Sequence, residues 1–79
     1  MINTLEFKNW LAENTSYSAR VLSNVVSRAK RADCLLPITT DDAYCYLISQ
    51  VDDYKKLSVS VRSQIKKSIK LYQEYLRMQ

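Results

Sequence analysis

Val61, Ile65, Ile69, Tyr72 and Leu76 recur three or four residues apart, a spacing that stacks them on one face of a helix. The pattern predicts a long amphipathic helix from Ser58 to Gln79, capped by Ser58. Leu22, Val25, Val26, Ala29 and Ala32 draw a second stripe, on a helix that begins at Ser16 or Ser18 and runs to about Cys34. With Ser18 as the cap, Tyr17 and Leu22 form a staple pair across the helix start. Phe7, Trp10 and Leu11 mark the apolar side of a first helix over Thr4 to about Asn14, with Trp10 as the expected central core residue. There Asn3 can cap, Glu6 can close a capping box, and Ile2 can staple against Phe7.

The middle of the chain is punctuated rather than periodic. Pro37 pushes Leu36 out of the α region and ends the second helix. Thr39 or Thr40 then caps a third helix, with Asp41 and Asp42 in its first turn, where the macrodipole favours anions. Tyr44, Leu47, Ile48 and Val51 give its core side. The segment Asp52–Leu57 adds a further helical turn, whose Asp-to-Lys spacing suits local ion pairs. The expected fold is therefore all-α: one domain over residues 1–79, a compact bundle of four main helices plus that turn.

Composition supports this architecture. The chain has 79 residues, no glycine and one proline. Hairpins, Gly-rich phosphate loops and dinucleotide-binding turns all need positive φ somewhere, which glycine supplies most readily, so the composition argues against those classes. A chain this short buries only about 60–65% of its unfolded surface, so the core is thin. Hydrophobic content of 47% is that of a folded domain. No run approaches the ~18 apolar residues of a spanning helix, and Met1–Thr4 lacks the pattern of a signal peptide. A cytoplasmic, reduced protein is expected.

Catalytic chemistry finds little footing. There is no histidine. The carboxylate pairs Asp41/Asp42 and Asp52/Asp53 are neighbours in sequence, which points them to different sides of a helix. Two cysteines, Cys34 and Cys45, cannot complete a four-ligand zinc site, and each is expected as a small buried hydrophobe. No enzyme activity, metal or cofactor is expected.

Charge changes the picture more. The net charge is +4, and from Tyr54 onward seven Lys or Arg face one acid, Glu74. Arg62, Lys66, Lys70 and Arg77 run beside the apolar stripe of the last helix. On the second helix Arg20, Asn24, Ser27 and Arg31 share a face flanked by Arg28 and Lys30. Cations one turn apart can follow a row of phosphates and release counterions on binding. Asn24 and Gln64 have the side chains that read adenine in a major groove. Six tyrosines suit wet-edged packing or a protein interface. Tyr46 and Tyr75 fall off the main stripes and are expected to be exposed.

The order of these signals resembles a known family. A Trp-Leu pair in the first helix leads through a Ser-rich turn to a basic helix. Then come Ile38-Thr39-Thr40-Asp41-Asp42, Tyr46-Leu47, and Leu57-Ser58 opening a helix that ends Lys70-Leu71-Tyr72-Gln73-Glu74-Tyr75-Leu76. Over about residues 5 to 77 this is similar to the N-terminal core-binding domain of phage-integrase-type tyrosine recombinases, a SAM-like helical domain. The resemblance implies a module that clamps double-stranded DNA with its second and last helices, in the service of DNA integration and recombination. Carried onto this chain, the contacts would be Arg20, Asn24, Ser27, Arg28 and Arg31, with Arg62, Lys66, Lys67 and Lys70. The family's catalytic domain is absent, so a catalytic partner or a longer parent chain would supply strand exchange. The alternative expectation is a protein-interaction module, a phage-encoded inhibitor or adaptor, acting through the basic and tyrosine-rich surfaces. A third is a small homodimer that enlarges its thin core with exposed aromatics.

Overall fold

A computed structural model describes residues 4–78. The predicted capping by Asn3 and stapling by Ile2 lie outside that range. Five helices are present among the described residues: α1 (Thr4–Asn14), α2 (Ala19–Leu35), α3 (Tyr44–Ser49), α4 (Asp52–Lys55) and α5 (Val59–Arg77). The fold is all-α, a small bundle in which α2 packs along α5 and α1 lies against both. The expected extra turn is α4, and the long last helix is α5.

The two longest helices start as their sequences dictate. Ser18 and Ser58 both adopt extended backbone, and each hydroxyl accepts a hydrogen bond from the N–H three residues on, Val21 and Val61. That satisfies one donor left open at a helix start. Helix α2 ends where proline requires: Leu36 is extended, and its N–H still reaches Ala32 O.

The core joins Phe7 and Leu11 of α1, the α2 stripe Leu22, Val25, Ala29 and Ala32, and Ile65, Ile69 and Tyr72 of α5. Ala29 and Ala32 carry nothing beyond Cβ, which lets backbones approach closely. An aromatic cluster seals α1 to the later turns of α5. Phe7 meets Tyr72 edge-on at 4.9 Å between ring centroids, and Trp10 meets Tyr75 at 5.9 Å. Such pairs contribute about 0.5–1.5 kcal/mol beyond burial.

Several expectations are corrected. Phe7 and Leu11 are fully buried, whereas Trp10 is only half-buried at the edge of the cluster. Tyr75 is buried, not exposed, because its ring closes that cluster and its hydroxyl donates to Glu6 Oε2 at 3.1 Å. Tyr46 is exposed as expected, and Leu47, expected in the core, is exposed beside it. Tyr44 and Ile48 are the buried residues of α3, and Cys45 packs partly against the core beside them. Cys34 is exposed and Cys45 half-buried, both as free thiols.

Helix α3 also begins later than predicted. Thr39 Oγ accepts the Asp41 N–H at 3.3 Å and Asp41 Oδ1 accepts the Ala43 N–H at 2.8 Å. These polar side chains close successive turns before the helix instead of capping it. Asp41 and Asp42 consequently precede the helix rather than fill its first turn. The connector is pinned from several sides. Asp33 Oδ1 accepts the Ile38 N–H at 3.0 Å, and the buried Tyr44 hydroxyl donates to Leu36 O at 2.5 Å. The buried Gln73 of α5 donates through Nε2 to Thr39 O at 2.8 Å and Asp41 O at 3.4 Å.

Candidate nucleic-acid interface

Helices α2 and α5 lie side by side, and a groove of about 180 Å³ runs between them. Tyr17, Val21 and Val25 form its apolar wall, with Leu71 opposite; Arg28 lines it from α2, and Gln64 and Lys67 from α5. Arg28 is half-buried and Lys67 exposed. The two helices thus bring one cation each to a shared groove, together with the amide of Gln64.

Helical geometry arranges the rest. At ~100° per residue, Arg20, Asn24 and Arg31 fall within about 40° of one another on the outward face of α2, and Arg28 lies about 60° further round. All three are exposed. Ser27 lies about 20° from Arg20 on the same outward face and also lines a separate groove with Thr4, Leu5 and Lys8 of α1. On α5, Lys67 sits on the α2 side and Lys70 on the open face. Arg62 and Lys66 lie on the far edge, in a cleft with Ser49 of α3 and Tyr54 of α4. The nine expected contact residues therefore divide. Arg28 and Lys67 line the α2–α5 groove; Arg20, Asn24, Ser27 and Arg31 form the outward face of α2 beside it; Lys70 lies on the open face of α5, and Lys66 and Arg62 on its far edge.

The cations are free for an external anion. Among the described residues, none of Arg20, Arg28, Arg31, Arg62, Lys66, Lys67 and Lys70 has a carboxylate within 4.0 Å; the ion pairs are Lys56–Asp53 and Arg77–Asp42. Arg77, which extends the basic row in sequence, is thus turned back onto the chain, 3.7 Å from Asp42. Arg62 is half-buried against Tyr54, whose hydroxyl donates to the Arg62 carbonyl at 3.2 Å. Burial pushes the Tyr54 phenol up in pKa, and the neighbouring guanidinium opposes that rise.

The sequence pattern left two parts of this face unread. The rim position of Lys67 follows from a 100° step past Lys66, which a charge count does not register. The apolar wall includes Tyr17 from the turn before α2, where helical periodicity carries no information. Among the described residues no cluster of metal-ligating side chains occurs, and no helix is long and apolar enough to cross a membrane. Comparison with protein-family profiles, curated proteins and solved structures finds no match to this chain.

Proposed function

We propose that this chain binds double-stranded DNA through the α2–α5 face, as a non-catalytic module of the integrase core-binding type. The observation that carries the reading is the groove where Arg28 and Lys67 meet, flanked by cations with no carboxylate of their own. Phosphates of the duplex would take the place of those missing partners, with Asn24 and Gln64 positioned near base edges. Catalysis of strand exchange would belong to a partner or a longer parent chain, in a reducing cytoplasmic setting that suits two free thiols.

The test is fluorescence anisotropy with a random-sequence duplex at two salt concentrations. Neutralising about five phosphates gives a slope of log K against log salt near −4 to −5. Arg28→Glu with Lys67→Glu should abolish measurable affinity while helicity, read by circular dichroism, is kept. Lys66→Glu with Lys70→Glu should weaken binding less, because those residues sit toward the margin. Salt-independent binding, or full affinity in the Arg28/Lys67 double variant, would reject this face.

One observation favours a second reading, that of a protein-interaction module. Tyr46 and Leu47 are adjacent on α3 and both exposed, at 67% and 48%. If the chain shows no duplex affinity at low salt, and Tyr46→Ala with Leu47→Ala disrupts a complex with another protein, this reading replaces the first.

A further inference from the structure

The cleft on the far edge of α5 has a chemistry of its own. It encloses about 200 Å³ and is lined by Ser49, Tyr54, Val59, Arg62, Ser63 and Lys66. Arg62 and Lys66 stand one helical turn apart, and Ser63 lines the same cleft. No carboxylate lines the cleft. Val59, in the first turn of α5, brings the positive end of the helix macrodipole to the same place. The Ser58 cap takes up the Val61 N–H through its hydroxyl and the Arg62 N–H through its carbonyl.

Arg62 is the informative member. Its Nε is removed from solvent and makes no hydrogen bond. Its neighbour Tyr54 is 1% exposed and lines the same cleft, so water is excluded from that side of Arg62 and a counter-charge acts more strongly there. Two like charges, the Ser63 hydroxyl and a helix start all favour the same kind of guest. The volume is below the ~300–1,000 Å³ typical of sites for whole organic ligands, which favours a compact anionic group over a cofactor.

We infer that the Arg62–Ser63–Lys66 cleft is a binding site for a tetrahedral phosphoryl group, separate from the α2–α5 face. The guanidinium and ammonium supply the charge, and Ser63 supplies a neutral donor. The inference does not depend on the duplex reading, since this cleft and the Arg28–Lys67 groove lie on different edges of α5 and have no lining residue in common.

The experiment is a titration of the isotopically labelled full chain with sodium phosphate, followed by amide chemical shifts against sodium chloride at matched ionic strength. Saturable shifts at Ser49, Ser63 and Lys66 are expected with phosphate alone. Lys66→Gln, at an exposed position, and Arg62→Gln should each weaken phosphate binding about tenfold, and the spectra themselves report that the variants are folded. Arg28→Glu with Lys67→Glu should leave phosphate binding unchanged, which separates this site from the proposed duplex face. Two further arms identify the source of the phosphoryl group. Phenyl phosphate that moves the same amides, with a short duplex that does not, indicates a small monoester; the reverse indicates nucleic-acid backbone. Equal shifts in chloride, or unweakened phosphate binding in both Arg62→Gln and Lys66→Gln, would overturn the assignment.

Discussion

Gln73 is the buried residue of α5 that hydrogen-bonds the 39–43 turn, and its replacement gives a graded test of how the bundle is closed. The side chain is 7% exposed, and its Nε2 donates to Thr39 O at 2.8 Å and, more weakly, to Asp41 O at 3.4 Å. Gln73→Met keeps the volume and removes only the donor, so it should lose about 0.5–1.5 kcal/mol, the net worth of a neutral hydrogen bond. Thr39 is itself exposed, so water can reach that turn and the lower half of the range is expected. Gln73→Ala also removes one buried methylene at about 0.8 kcal/mol, for a total near 1.3–2.3 kcal/mol. In a domain of this size that lowers Tm by about 5–18 °C, at roughly 4–8 °C per kcal/mol.

Gln73→Glu carries the sharper prediction. It sets a carboxylate oxygen where an amide donor faced two carbonyls, so the loss at pH 7 should exceed that of the methionine variant. The folded state would raise this carboxyl above its usual ~4.3, so the folded chain would hold the proton more tightly than the unfolded one. By linkage, stability relative to the parent should then recover as pH falls through the raised folded value, and most of it should be present below the unfolded value. Thermal or urea unfolding of all four proteins at pH 7 and pH 4, each referred to the parent at the same pH, measures this. If the methionine and glutamate variants unfold with the parent at pH 7, or the glutamate variant gains nothing at pH 4, Gln73 does not hold the turn as described.

Other outcomes follow from the same geometry. Tyr44→Phe keeps the ring and removes the donor to Leu36 O, so denaturant unfolding should show a loss of about 1–2 kcal/mol, while Tyr46→Phe, at an exposed position, should be near neutral. Ser58→Ala removes the cap on α5 and should cost about 1 kcal/mol by the same assay. Burial raises the phenol pKa values of Tyr44, Tyr54, Tyr72 and Tyr75, with the Glu6 carboxylate adding to the rise at Tyr75. The stability these neutral phenols contribute is full below the unfolded value of ~10 and is lost as pH climbs from there toward the folded values. Absorbance titration at 295 nm should accordingly show a late class of tyrosines ionising together with loss of helical signal; ionisation of every tyrosine near pH 10 in a folded chain would contradict their burial.

The helices with a continuous stripe were legible because spacing and a serine cap agree. Ser18 and Ser58 mark the starts of α2 and α5, and Leu22, Val25, Ala29, Ile65 and Ile69 all go inward as the periodicity requires. Legibility fails where a side chain answers to a partner far along the chain. Tyr75 reads as off-stripe, but its ring closes on Phe7 and Trp10 and its hydroxyl finds Glu6, 69 positions earlier. Gln73 reads as polar surface, yet its partners lie 34 and 32 residues upstream. At the start of α3, Thr39 and Asp41 have the composition of caps, and only the backbone shows them closing turns. The basic face was legible as two rows of charge. That the row on α5 splits, Lys67 toward α2 and Arg62 toward α3 and α4, depends on how the helices are set against each other, which a one-dimensional pattern does not contain.

Among the described residues no backbone position has a positive φ. Side-chain substitution along this stretch therefore meets no site that only a residue without Cβ can occupy. An alanine or glutamine scan would register what each side chain touches, undistorted by hidden conformational penalties. The same uniformity leaves the connectors open to library mutagenesis, provided proline is withheld wherever an N–H is already bonded.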